Sequence, residues 1–138
     1  MMRDVILDSN IFILFLAGQI KEEYYFLLNI LASYDKIITS PNILTEVDNI
    51  LNRITGEDKY KYLVLVKAIY KQTIEKYIRT ETVAQNWFFD TLGITDSSIL
   101  MMAKDCELLI SGDSSLCDHA KSLNIKTFDF KEYLNRKY

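Results

Sequence analysis

The chain has 138 residues, 49% of them hydrophobic and 25% charged, which is typical of one globular domain and predicts a single domain over residues 1–138. The formal net charge of −3 gives no overall attraction to nucleic acid, so such a partner would need a local patch or a metal ion. No apolar run is long enough for a membrane span, the start does not resemble a signal peptide, and the two cysteines lack the spacing of metal ligands. We therefore expect a cytoplasmic protein with no membrane partner and with reduced thiols.

The first predicted element is a short buried strand, Val5–Leu7, which has three apolar residues, two of them β-branched. It stops at Asp8–Asn10, and ligands of parallel α/β sheets bind where a strand ends and the chain turns into a helix. A helix over residues 11–16, ended by Gly18, and a second helix over residues 21–33 are expected next. The second helix is predicted from the helical spacing of Tyr24, Tyr25, Leu28, Leu31 and Ala32.

The second predicted strand is Lys36–Thr39, and a helix start follows it. Ser40 suits the capping position and Pro41 the first helical position. The apolar face of this helix consists of Ile43, Leu44, Val47, Ile50, Leu51 and Ile54. Glu46 and Asp48 fall on opposite borders of that face, so periodicity leaves open which of them turns toward the edge of the sheet.

A long helix is predicted over Lys59–Tyr77, after a break at Thr55–Asp58. Its core face is expected to be Leu63, Val66, Ile69, Tyr70, Thr73 and Tyr77. Lysines occupy the other side, which is typical of a solvated helix face. The alternative is an RNA-facing patch that includes Lys67 and Lys71.

We expect residues 80–93 to form a short helix or a loop. The aromatic residues Trp87–Phe89 in this segment are expected to pack in the core or to form a partner surface. A helix then begins with Thr95 as its cap and Asp96 in its first turn. Complementing the positive end of the helix dipole would by itself explain an aspartate at that position.

The stretch Leu108–Asp113 repeats the arrangement around Asp8, with a buried apolar strand that ends in small residues and an aspartate. A helix over residues 114–123 and a final strand Ile125–Phe128 are expected after it. Asp129 is predicted to cap a closing helix.

Short strands that alternate with helices predict an α/β fold, a three-layer α/β/α sandwich around a central, mainly parallel sheet of four or five strands. If the first strand and the strand at Leu108 are parallel neighbours, Asp8 and Asp113 converge at one edge of the sheet. Two carboxylates repel each other without a counter-charge, so we expect a cation between them.

Four acids are expected to share that edge: Asp8, Glu46, Asp96 and Asp113. Hard oxygen ligands of this kind suit Mg²⁺ or Mn²⁺, which make water a nucleophile near neutral pH and offset charge on a leaving oxygen. One or two such ions are expected, and Asn10 and Ser111 are neutral groups suited to orienting a carboxylate, water or phosphate.

The ordered set of these segments resembles the PIN domain, a family of metal-dependent nucleases, and the resemblance spans nearly the whole chain. The matching pieces are Leu7–Asn10, Ser40–Pro41 leading to Glu46, Thr95–Ile99 with Ala103, and Leu109–Asp113. The resemblance implies a Mg²⁺- or Mn²⁺-dependent endoribonuclease whose catalytic and metal-binding acids are those four, and it selects Glu46 over Asp48. Serine stands at positions 9 and 111, where threonine is commoner in the family, and the hydroxyl is kept.

The chain is also similar in size to the toxin nucleases of bacterial toxin–antitoxin pairs, which implies a homodimer and an antitoxin partner. The serious alternative is a catalytically silent PIN-fold module that binds RNA or a protein, and the presence of all four acids favours the enzyme. A haloacid-dehalogenase-like phosphatase is disfavoured because Asn10 stands where a second aspartate is needed. The single histidine, His119, is expected to be a surface residue rather than a general base.

Overall fold

The computed structural model describes residues 3–18 and 25–137. The predicted beginning of the second helix, including Tyr24, lies outside those residues. The elements in chain order are β1 (Asp4–Leu7), α1 (Ser9–Gly18), α2 (Tyr25–Leu31), β2 (Lys36–Thr39), α3 (Pro41–Leu51), α4 (Glu57–Tyr70), β3 (Ile74–Glu75), α5 (Thr80–Ala84), α6 (Phe89–Ala103), β4 (Leu108–Ser111), α7 (Ser114–Ser122), β5 (Thr127–Asp129) and α8 (Phe130–Lys137). The predicted α/β fold is confirmed.

All strands of the described chain belong to one parallel sheet with the order β3-β2-β1-β4-β5. Three consecutive apolar residues form most of β1 (Val5–Leu7) and of β4 (Leu108–Ile110), and Ile6 is aligned with Ile38 of β2 and Leu109 of β4. All three of these side chains are fully buried. Continuous apolar runs are typical of parallel strands that are covered on both faces, which is why β1 and β4 were recognisable in the sequence.

The order of the strands determines how the helices are distributed over the sheet. The chain steps from β1 to β2 to β3 in one direction and then returns to β4 and β5 on the other side of β1. Right-handed crossovers therefore place the helices before and after this reversal on opposite faces of the sheet. Helix α1 contacts α2, α3 and α4, whereas α6 contacts α5 and α7, which is consistent with a three-layer α/β/α sandwich.

Helix α3 begins as the sequence predicts. The Oγ of Ser40 accepts a hydrogen bond from the backbone N–H of Ile43 at 3.2 Å, and Pro41 is the first helical residue. One face of the helix, with Ile43, Val47 and Leu51, is buried in the core. The cap fixes where the helix begins, and the buried face fixes its orientation against the core. Together they determine the position of Glu46.

The prediction of one long helix from Lys59 to Tyr77 was wrong at its C-terminal end. Helix α4 ends at Tyr70, and Ile74 begins the short edge strand β3, where it is aligned with Ile38. The hydroxyl of Thr73 donates to the carbonyl oxygen of Tyr70 at 2.9 Å and helps to close the helix. Pairing with β2 overrides the helical pattern, and Tyr77 is 68% exposed instead of lying in the core.

Two other boundaries differ from the prediction. The last strand is Thr127–Asp129 rather than 125–128, because the N–H of Ile125 still donates to the carbonyl of Ala120 at the end of α7. Helix α6 begins at Phe89, well before Thr95, and its backbone breaks at Gly93, where φ is +78°. Glycine tolerates that conformation, and its ψ of −173° is also non-helical, so two helical segments meet at Gly93. The second segment holds Thr95 and Asp96, which is consistent with the helix start predicted at Thr95.

Three smaller observations complete the fold. Of the predicted face of α2, Leu31 is buried, whereas Tyr25 is 46% exposed and Ala32 is exposed; Leu27, which was not predicted, is the other buried residue. Cys106 and Cys117 are unpaired, and burial raises the pKa of Cys117 to about 12. None of the helices in the described ranges combines the length and apolar character needed to cross a membrane.

Replacing Ser40 by alanine removes the cap of α3, and we expect Ser40→Ala to lower the free energy of unfolding by about 1 kcal/mol. Urea denaturation measures this loss. The matched control is Ser33→Ala, which removes an exposed hydroxyl that only donates to the carbonyl of Ile30. Equal stability of the two variants would contradict the role given to Ser40.

Candidate active site

The crevice at the carboxyl ends of β1 and β4 is the point where the strand order reverses. The chain leaves β1 toward β2 and leaves β4 toward β5, in opposite directions across the sheet. In open α/β sheets such a switch point is where ligands bind. Asp8 directly follows β1, and Asp113 follows β4 after one intervening residue, Gly112.

Asp8 is almost entirely buried, with 6% of its surface exposed. Its Oδ1 accepts the backbone N–H of Ser9 at 2.7 Å, and its Oδ2 accepts the hydroxyl of Ser111 at 2.9 Å. Burial raises the pKa of Asp8, the two hydrogen bonds partly oppose that rise, and the charges of Glu46 and Asp113 add to it. The carboxylate is therefore held firmly in a place where its negative charge is not compensated.

Glu46 is joined to the same centre by Ser9. The hydroxyl of Ser9 donates to Oε2 of Glu46 at 2.6 Å, which links the first turn of α1 to α3. The geometry distinguishes Glu46 from Asp48, which periodicity left open. Asp48 is exposed, accepts a hydrogen bond from Asn52, and adds to the effect of burial in raising the pKa of Tyr70.

Asp113 lies near the carboxyl end of β4 and also caps the N-terminus of α7. Its Oδ1 accepts the backbone N–H groups of Ser115 and Leu116 at 2.9 and 3.2 Å, so this side chain caps α7. The N–H of Asp113 donates to Oγ of Ser111 at 3.0 Å, while that hydroxyl donates to Asp8. Ser111 thus joins two of the acids through a single oxygen atom.

Asp96 lies in α6, three residues after the backbone break at Gly93, and is partly buried. Its pKa is raised to about 7, first by burial and then by the charges of Asp8, Asp113 and Glu46. That influence means that all four carboxylates lie within electrostatic range of one another. Asp96 is thus close enough to the other three acids for their charges to act on it.

Positive charge does not neutralise this cluster within residues 3–18 and 25–137. The ion pairs there are Arg79–Glu81, Lys121–Glu132 and Arg136–Glu132, and none includes one of the four acids. In the same part of the chain, no group of three or more Asp, Glu, His or Cys side chains is placed so that it could hold a metal ion. Mg²⁺ is usually bound through one or two carboxylates and keeps several waters, so the donors present fit an open, hydrated site of that kind.

Other residues singled out in the sequence lie outside the hydrogen-bonded centre. Asn10 is exposed in the first turn of α1, and the Nδ1 of His119 lies 2.8 Å from the carbonyl oxygen of Ser115, which accepts its hydrogen bond. Lys67 and Lys71 are exposed at the end of α4. The residues that follow Lys71 line a cavity at the amino end of β2, so this end of α4 lies away from the edge that holds Asp8.

Ser9 is the residue whose role the sequence did not reveal. It was recognised only as a hydroxyl that follows Asp8, but it is 4% exposed and bridges Asp8 to Glu46. A small polar residue directly after a buried strand carries little signal on its own, since turns favour serine for many reasons.

No protein-family model matches the chain, and no curated protein matches its sequence. The chemistry assigned to this edge of the sheet is therefore argued from the residues and their geometry.

The raised pKa of Asp96 predicts how stability depends on pH in the absence of divalent cations. Because the folded-state value of about 7 exceeds the ordinary value of 3.8, the folded state holds an extra proton between these values. The free energy of unfolding should therefore fall as the pH rises from 4 to 8. Asp96→Asn should remove most of this slope and stabilise the protein at pH 8 by on the order of 1–2 kcal/mol, after allowing for solvent screening.

Asp90→Asn is the matched control, because Asp90 is an exposed aspartate in the first turn of the same helix. Denaturant titrations in EDTA at several pH values measure the slopes. A slope that persists unchanged in Asp96→Asn, or that disappears equally in Asp90→Asn, would show that Asp96 is not the titrating group.

Proposed function

We propose that the protein is a Mg²⁺- or Mn²⁺-dependent endoribonuclease of the PIN-domain type. The observation that carries this proposal is the meeting of Asp8, Glu46, Asp96 and Asp113 at the switch point of a parallel sheet. Their charges lower the stability of the protein at neutral pH, and a divalent cation would relieve that cost. Hard oxygen donors at an open crevice suit such a cation together with a phosphodiester.

Three of the four acids are oriented by hydrogen bonds. Asp8 is oriented through both oxygens, and Glu46 is held by the hydroxyl of Ser9. Asp113 directs only Oδ1 to its own helix within the described residues, so Oδ2 is available to a ligand. When bound here, Mg²⁺ or Mn²⁺ supplies a Lewis acid that activates water and offsets charge on the phosphate.

The approach of a phosphodiester is favoured by two helix N-termini at this edge. Helix α1 starts directly after Asp8, and α7 starts directly after Asp113. The positive ends of helix dipoles attract phosphate groups and partly offset the acidic surroundings. The exposed amide of Asn10, in the first turn of α1, is a suitable donor to a phosphate oxygen.

The alternative is a catalytically silent module that binds RNA or a protein. The four intact acids favour the enzyme, because a binding module gains nothing from partly buried like charges that destabilise its fold. A homodimer, an antitoxin partner and an RNA-binding role for Lys67 and Lys71 stay predictions from the sequence.

Asp8→Asn and Asp113→Asn should each lower RNA cleavage by about 100-fold or more, an effect typical of losing a group that stabilises charge during the reaction. Cleavage of a fluorescent single-stranded RNA with Mg²⁺ or Mn²⁺ measures the rate. EDTA should abolish it, and added metal should restore it.

Asp118→Asn is the matched control for Asp113→Asn, since Asp118 is an exposed aspartate of the same helix. Circular dichroism establishes that each variant is folded. Undiminished cleavage by both site variants would indicate a contaminating nuclease and would contradict the proposal.

A further inference from the structure

The only tryptophan of the chain, Trp87, is 68% exposed although the next residue is one of the most deeply buried. Phe88 has 1% of its surface exposed and belongs to the hydrophobic core. The two rings meet edge to face, with centroids 5.3 Å apart and an interplanar angle of 73°. Phe88 thus anchors the backbone, and the indole of Trp87 is held at the surface beside it.

A second ring from another helix lies next to the indole. The imidazole of His119, in α7, is 6.2 Å from the indole, centroid to centroid, with an interplanar angle of 34°. Its Nδ1 lies 2.8 Å from the carbonyl oxygen of Ser115, which limits rotation of the imidazole ring. Trp87 and His119 therefore form a small aromatic platform, and the tryptophan ring remains open to solvent.

The aromatic platform is connected to two of the site acids through α6 and α7. Trp87 shortly precedes α6, which carries Asp96. His119 lies in α7, which begins directly after Asp113. The rise of a helix places His119 about 9 Å along the axis from Asp113, a distance that a short stretch of extended RNA covers.

The surroundings favour a flat, uncharged group as the occupant. Asp90, three residues after Trp87, and Asp118, directly before His119, are exposed carboxylates that disfavour a phosphate nearby. A protein interface needs a far broader apolar patch than one open indole. A nucleobase matches the indole in size and stacks on it without regard to sequence.

We propose that the aromatic platform, Trp87 supported by His119, is a base-stacking subsite for a nucleotide of single-stranded RNA next to the scissile phosphate. This inference rests on the proposed nuclease function. It assigns Trp87 to substrate binding and predicts that affinity there depends on the base and only weakly on salt, since no phosphate contact is involved.

The single tryptophan makes the subsite directly observable by intrinsic fluorescence. A short single-stranded RNA is titrated into the wild-type protein with Ca²⁺ in place of Mg²⁺ to slow cleavage, and a gel verifies afterwards that the RNA is intact. We expect the RNA to quench the fluorescence, and an abasic oligonucleotide with the same backbone to leave it nearly unchanged. Equal quenching by both oligonucleotides, or by neither, would overturn the inference.

Steady-state cleavage gives a second readout. Trp87→Ala should raise KM for RNA by about 5- to 100-fold with little change in kcat, as expected for the loss of one stacked base. Trp87→Phe should recover part of the affinity. The control Tyr60→Ala removes an equally exposed ring, 73% accessible, from α4 and should leave KM unchanged.

The outcomes separate the subsite from the nuclease function. Base-dependent quenching without cleavage by any metal would support the subsite and contradict the proposed function. Cleavage that is unaffected by Trp87→Ala would contradict the subsite and leave the function standing. If Trp87→Ala instead weakened self-association of the protein and spared KM, the indole would be a protein contact and the inference would be wrong.

Discussion

Repulsion between the buried carboxylate of Asp8 and the acids near it at the carboxyl ends of β1 and β4 is the constraint on which the rest of the structure depends. Asp8 is nearly inaccessible to water, and burial, followed by the charges of neighbouring acids, raises its pKa and that of Asp96. Such an arrangement is unfavourable unless something else holds it in place. Two serines hold it in place. The backbone N–H of Ser9 donates to Asp8, and the hydroxyl of Ser9 donates to Glu46 of α3. The hydroxyl of Ser111 donates to Asp8 and accepts the backbone N–H of Asp113.

The surrounding fold supplies the rigidity that this arrangement needs. β1 and β4 are aligned in parallel, and Leu7, which directly precedes Asp8, is the fully buried register partner of Ile110, three residues before Asp113. Their burial fixes where the strands end and therefore where Asp8 and Asp113 emerge. The capped start of α3 and the bend of α6 at Gly93 then bring Glu46 and Asp96 from outside the sheet.

Those parts of the fold whose signal is local could be predicted from the sequence. The buried runs of β1 and β4 and the Ser40–Pro41 helix start are examples, because each depends on adjacent residues. The short strand β3 could not be predicted, since its pairing with β2 is a tertiary contact that overrides the helical spacing around Tyr70. The repeated strand-end pattern grouped Asp8 with Asp113, whereas the resemblance to the PIN domain selected Glu46 over Asp48. The bridging role of Ser9 could not be predicted, because it depends on α1 and α3 being packed together.

The convergence of the carboxylates is tested most directly by diffraction from crystals of the protein soaked in Mn²⁺, recorded at the manganese absorption edge. The expected result is an anomalous peak within coordination distance of Asp8 and of at least one of Asp96 and Asp113. The absence of a peak among these side chains at saturating Mn²⁺, or a peak bound only elsewhere, would contradict the cation site and with it the proposed chemistry.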